Sequence, residues 1–148
     1  MKTSTMNFAF MAIVLGTILL SCKKEKSNEP ECGISMTGLA GSYKLTALQY
    51  RATATTAPVD YLSSLDDCEK DDILILKSDG AYNYNDAGTV CTAEGANSHG
   101  TWHVTGNTIT SDGTFNGTIA SYDCKTLVFY KENAIVTGDR MTFTMVKQ

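Results

Sequence analysis

From Gly38 to Gln148 the chain alternates apolar or aromatic residues with polar ones at a period of two, and Asp-Gly, Gly-Asn and related pairs cut the alternation at short intervals. Side chains along an extended strand point to opposite faces in turn, so the pattern describes half-buried strands joined by hairpins and argues against a helical bundle. Thr, Tyr, Val, Ile and Phe, which fit a pleated surface, are abundant, and Pro58 is the sole proline of this stretch. The spacing predicts eight strands, at Ser42–Arg51, Asp72–Lys77, Ala81–Asn85, His99–Val104, Asn107–Thr110, Thr114–Tyr122, Lys125–Lys131 and Arg140–Lys147. Tight connections fall at Ser78-Asp79-Gly80, Thr105-Gly106-Asn107, Ser111-Asp112-Gly113 and Asp123-Cys124, where the residue types tolerate the positive φ that hairpin turns require. One helical turn is expected around Tyr61–Asp67, inside the long connection Ala52–Asp71. Successive hairpins make a meander. Eight antiparallel strands in ~110 residues close as an up-and-down barrel or stack as a sandwich, and the near-absence of long crossovers favours the barrel.

The chain has 148 residues, 43% hydrophobic and 19% charged, the composition of one globular domain. Its 12 Lys and Arg against 16 Asp and Glu give a net charge of -4, so it carries no basic footprint for a phosphate backbone, and nucleic acid is not an expected partner.

The N-terminus has a different grammar. Lys2 precedes an apolar run from Phe8 to Leu20, closed by Leu19-Leu20-Ser21-Cys22. The run falls short of the ~20 residues that span a bilayer, and a small residue before a cysteine suits a lipoprotein signal peptidase. We read residues 1–21 as a lipoprotein signal peptide and Cys22 as the lipid-bearing first residue of the mature chain; a plain secretory signal with an incidental cysteine is the alternative. Diacylglycerol on Cys22 would bring two acyl chains, and at ~0.8 kcal/mol per buried methylene two chains anchor stably where one does not. Residues 22–37, with Lys23-Lys24-Glu25-Lys26-Ser27-Asn28-Glu29-Pro30-Glu31, are polar and aperiodic and read as a flexible tether. Lys23 directly after the anchor, rather than Asp, resembles the outer-membrane pattern of diderm bacteria. The expected location is the bacterial cell envelope, lipid-anchored, at the outer membrane.

The stretch Leu39-Ala40-Gly41-Ser42-Tyr43-Lys44-Leu45 resembles the opening strand of the lipocalin-like domains common in secreted lipoproteins of the Bacteroidetes, where Gly-x-Trp usually stands in place of Gly41-Ser42-Tyr43. Cys68-Glu69-Lys70-Asp71-Asp72 before the second strand, Asp79-Gly80-Ala81-Tyr82 across its turn and Gly100-Thr101-Trp102 on the fourth strand extend the likeness, which covers Gly38–Gln148. The resemblance implies a lipocalin-like barrel over residues 38–148 and ligand binding as its activity.

With Cys22 lipidated, four cysteines remain for an oxidising compartment, and four allow three pairings. Strand parity chooses among them. If the first strand runs from bottom to top, Cys68 and Cys91 both lie at the top, whereas Cys32 and Cys124 lie at the bottom. The expected disulfides are therefore Cys68–Cys91 and Cys32–Cys124; other pairings would cross the barrel. No Cys-x-x-Cys spacing supports zinc. His99 and His103 share a face with Thr101, opposite Trp102 and Val104, and read as solvent-facing side chains. The acidic run Asp66, Asp67, Glu69, Asp71, Asp72 lacks the alternating ligands and distal Glu of an EF-hand and reads as a solvated loop. No metal site is expected, nor any cofactor. Nothing resembles Gly-x-Ser-x-Gly or a phosphate-cradling glycine loop, so no enzyme is predicted.

The bottom connections are tight, and the top carries the long loops Ala52–Asp71, Asp86–Ser98 and Glu132–Asp139, so any mouth opens at the top, away from the tether. Alternate residues taken as inward are Tyr43, Leu45, Ala47, Tyr82, Tyr84, Trp102, Val104, Ile109, Phe115, Ile119, Leu127, Phe129, Met141, Phe143 and Met145; the second strand is apolar on both faces and its inward set stays open. So many aromatics fill a short barrel and argue against a deep lipid-sized cavity. Tyr43 and Trp102 plug the bottom, while Tyr84, Phe129, Met141 and Leu62 are the candidates for a shallow pocket at the top. Two functions remain: binding of a small apolar or amphipathic molecule at the loop-bearing end, or contact of the top loops with an envelope protein while the barrel is solidly packed. Interior volume separates them, since ligand pockets begin near ~300 Å³.

Overall fold

The computed structural model describes residues 32–91, 97–113 and 115–148. The expected signal peptide, the lipidated Cys22 and the tether up to residue 31 lie outside the described residues. From Cys32 onward the elements are a helical turn α1 (Met36–Leu39), β1 (Gly41–Arg51), β2 (Val59–Asp60), a 3-10 turn (Leu62–Ser64), a helical turn α2 (Asp67–Lys70), β3 (Ile73–Leu76), β4 (Ala81–Asn85), β5 (Asn97–Thr105), β6 (Thr108–Ser111), β7 (Gly117–Tyr122), β8 (Thr126–Glu132) and β9 (Arg140–Lys147).

Every consecutive pair from β3 to β9 is antiparallel, and β1 pairs with both β3 and β9, which closes an eight-stranded up-and-down barrel. The long seam between β1 and β9 runs from Tyr43 opposite Lys147 to Arg51 opposite Arg140. β3 covers β1 only from Gly41 to Lys44; β2 takes the place beside Gln49 and Tyr50 that β3 leaves open. The turns 77–80, 106–107 and 123–125 lie at one end, and β1, β4, β6 and β8 run to the other, where the connections that follow them begin. Gly80 (φ +91) supplies the left-handed residue of the β3–β4 turn, and Cys124 takes a positive φ of 75° between β7 and β8.

The alternation fixes most of the interior. Tyr43, Leu74, Leu76, Tyr82, Trp102, Ile109, Ile119, Leu127, Phe129 and Met145 are buried in one cluster, so Leu74 and Leu76 resolve the ambiguity of the strand Asp72–Lys77. Ala47 is not inward. A β-bulge between Leu45 and Ala47 inserts Thr46 and shifts the register, so Leu48 faces inward opposite Phe143 while Ala47 sits opposite Thr144. A second bulge between Ile119 and Ser121 turns Tyr122 inward opposite Leu127. The strand expected at Thr114–Tyr122 begins only at Gly117. Its connection is longer than a hairpin because Asn116 folds back, accepting the Ser111 N–H at 2.6 Å and donating to the Gly113 carbonyl at 3.1 Å, while Asp112 accepts from the Thr101 N–H.

The tight end is stoppered. α1, capped by the Ser35 hydroxyl, lays Met36 and Leu39 against the core. The Tyr43 hydroxyl donates to the Leu39 carbonyl at 2.7 Å, the Tyr122 hydroxyl to the Gly38 carbonyl at 2.6 Å, and Lys147 Nζ to both the Tyr122 oxygen and Gly38. Trp102 donates its indole N–H to the Lys77 carbonyl at 3.0 Å and fills the space above the β3–β4 turn. Residues 32–37, read from sequence as the end of the tether, thus lie against the barrel. Cys32 joins Cys124 at this end and Cys68 joins Cys91 at the other, with Cα separations of 5.3 and 5.2 Å.

At the loop-bearing end Asp139 is fully buried and organises the β8–β9 connection. Burial opposes its charge, but N–H groups of Val136, Ile135 and Ala134 and the Tyr50 hydroxyl donate to it and hold its carboxyl below the usual range. Unfolded, the group titrates near 3.8. A pKa lower in the folded state means that its contribution to stability is complete above that value and drains as pH falls from 3.8 toward the folded pKa. Asp139→Asn should therefore be less stable than wild type at pH 7, with the gap narrowing below about pH 4. Urea midpoints at several pH values test this, and parallel pH profiles would show that Asp139 is not the acid-sensitive anchor.

Candidate ligand-binding pocket

The stopper leaves the upper half of the barrel unfilled. A cavity of about 320 Å³ lies there, lined by Leu45 of β1, Leu74 of β3, Tyr82 and Tyr84 of β4, Phe129 and Lys131 of β8, and Phe143 and Met145 of β9, with Asp72, Phe115 and Asn116 from the connections. The aromatic walls are braced in pairs: Phe129 stacks on Phe143 with centroids 4.8 Å apart, and Tyr82 meets Phe115 edge to face at 5.0 Å. These contacts hold the rings against the wall instead of across the lumen. The cavity lies above Tyr43 and Trp102, which block only the tight end.

Polar groups gather toward the mouth. Tyr84 and Asp72 face one another, and burial together with the nearby carboxylates raises the pKa of the Tyr84 hydroxyl. Burial likewise pushes the Asp72 carboxyl up, against the pull of the Tyr84 hydroxyl and the Ala87 N–H, with Asp86 and Asp71 adding to the rise. Lys131 supplies a cation at the rim.

Of the four residues the sequence nominates, the structure brings Tyr84 and Phe129 to the cavity. Leu62 is elsewhere, because β2 draws its segment into the wall beside β1 and Tyr61 packs on Tyr50 at 5.9 Å, so the 3-10 turn does not lean over the mouth. Met141 keeps inward parity but stands opposite Lys131 and Tyr50, one pair nearer the rim than Phe143, and does not line the cavity. Lys131 and Asp72 were missed because polar residues at strand ends read as the end of burial. Parity carried one step further finds Lys131, through Leu127 and Phe129, whereas Asp72 follows only once the structure shows Leu74 and Leu76 to be the inward face of its strand. Phe115, expected inward, reaches the cavity from the folded-back connection instead of from a strand, and Asn116 beside it has no signal at the level of spacing. His99 and His103 are exposed on the outer face of β5.

A closed eight-stranded meander, stoppered at one end and hollow at the other, is a barrel of the ligand-binding type. The family model of the lipocalin-like domain matches residues 39–143. The chain belongs to that family, whose members typically bind rather than catalyse. No curated protein and no solved structure matches it.

Proposed function

We propose that this is a non-enzymatic lipoprotein of the Bacteroidetes type, anchored through Cys22 in the bacterial cell envelope at the outer membrane, whose barrel takes up a small apolar or amphipathic molecule at its loop-bearing end. The carrying observation is the cavity of about 320 Å³ with its mainly apolar and aromatic lining, a size and chemistry ordinary for small-molecule sites. The tether enters beside Cys32 at the stoppered end, which supports a mouth directed away from the membrane. The envelope-partner reading also has an observation in its favour. Val59, Val90, Ile135 and Val136 are exposed apolar side chains on the connections of the loop-bearing end.

An uncharged fluorophore, N-phenyl-1-naphthylamine, separates the two. The oxidised domain is expected to bind it with a blue-shifted emission, and Leu45→Trp, which places a large ring in the cavity, should weaken binding about tenfold or more while urea stability changes by no more than about 1–3 kcal/mol. Binding that is absent, or indifferent to Leu45→Trp, would leave the partner-contact reading in its place.

A further inference from the structure

The polar end of the cavity is strongly one-sided in charge. Asp72 lines the cavity, and one oxygen from each of Asp71, Asp72 and Asp86 falls within 4.8 Å of the others. Asp71 Oδ2 accepts from the Thr89 N–H at 3.0 Å and Asp86 Oδ2 from the Cys91 N–H at 3.3 Å, so the β4–β5 connection holds these carboxylates in place. The Cys68–Cys91 link ties that connection to the segment that carries Asp71 and Asp72. Yet Oδ1 of all three is shielded from solvent and has no hydrogen-bond partner among the described residues. Buried acceptors without donors are costly, and three carboxylates at this range repel one another. Lys70 is engaged with Asp67 at 2.9 Å, and the other ion pair among the described residues joins Arg140 to Glu132. Among the described residues the one cation in the cavity lining is Lys131, on β8, three strands around the barrel from β3.

On the reading that this cavity is the binding site, we propose that it is selective for amphipathic amines, with the ligand's ammonium group received by Asp72 and its neighbours Asp71 and Asp86 and its apolar body lying among Leu74, Phe129 and Phe143. An ammonium brings three donors and a positive charge to a place that offers unpaired acceptors and negative charge, whereas a carboxylate ligand would meet only Lys131 on the opposite side. A bare divalent cation would answer the charge as well, but it would leave the apolar chamber beside Asp72 without a role.

The test uses three molecules with one tail and different heads, octylamine, 1-octanol and octanoate, titrated calorimetrically into the oxidised domain. Octylamine should bind about tenfold or more tightly than octanol, with octanoate weakest, since both can donate to the carboxylates but only the ammonium adds a full opposite charge. Asp72→Asn should weaken octylamine about tenfold or more and octanol by much less, bringing the two to within a few-fold of one another, and Lys131→Met should improve octylamine. Octanoate binding best, or amine and alcohol binding alike in wild type, overturns the amine selectivity and leaves the pocket intact. Calcium binding that is lost in Asp72→Asn, without any preference for the amine, overturns it in favour of a metal. If none of the three molecules binds and the naphthylamine probe fails too, the pocket itself is refuted.

Discussion

Trp102→Ala is expected to cost about 3–5 kcal/mol of folding stability, the range for truncating a large buried aromatic. The indole is 3% exposed and closes the tight end beneath the cavity. Its N–H also satisfies the Lys77 carbonyl, which in turn accepts from Gly80 across the β3–β4 turn. Alanine would leave a void and take away one of the two donors to the Lys77 carbonyl. Trp102→Phe keeps most of the ring and loses the hydrogen bond, so it should cost about 1–2 kcal/mol by the bond alone, with repacking added. Urea denaturation of both variants measures this, and a loss under 1 kcal/mol for alanine would show that the stopper lies elsewhere.

The second large effect concerns covalent closure. Cys32–Cys124 encloses a separation of 92 residues and Cys68–Cys91 one of 23. The chain-entropy relation gives about 4–5 kcal/mol for the first and about 3–3.5 for the second, as upper values. The double variant C32S/C124S should therefore be the less stable of the two double-serine variants by roughly 1 kcal/mol. The comparison is made by urea unfolding under non-reducing conditions. The reverse order would mean that the N-terminal crosslink does not close its loop in solution.

Most of the barrel was legible because one physical rule, alternation across a pleated sheet, governs nearly every strand. It located all eight barrel strands and placed Tyr43, Trp102, Ile109, Leu127 and Met145 inside. It failed where the backbone broke period two. Thr46 enters as an extra residue and sends Leu48, not Ala47, inward; nothing in Leu-Thr-Ala-Leu announces that step. The end-to-end placement of the cysteines followed from strand parity, which survives local bulges because it depends only on strand count. The site was half legible. Tyr84 and Phe129 are apolar and inward, but Asp72 and Lys131 face the cavity at strand ends, where a polar residue gives the same pattern whether it meets solvent or a ligand. Met36 helps stopper the barrel from the end of the segment read as tether, beside Leu39 at the start of the barrel domain.

The crosslink at Cys32 also decides how tension would run through the molecule. A pull on the chain ahead of Cys32 is delivered through sulfur to Cys124 in the β7–β8 turn, so it bypasses α1 and the first seven strands, which lie within the covalent loop. Those strands cannot be drawn out in sequence while the bond holds. The only described segment beyond the loop is residues 125–148, β8 and β9, and β9 is held along its length by β1. Six of the eight strands around the chamber would thereby be shielded mechanically from a pull on that end of the chain, and the shape of the cavity with them.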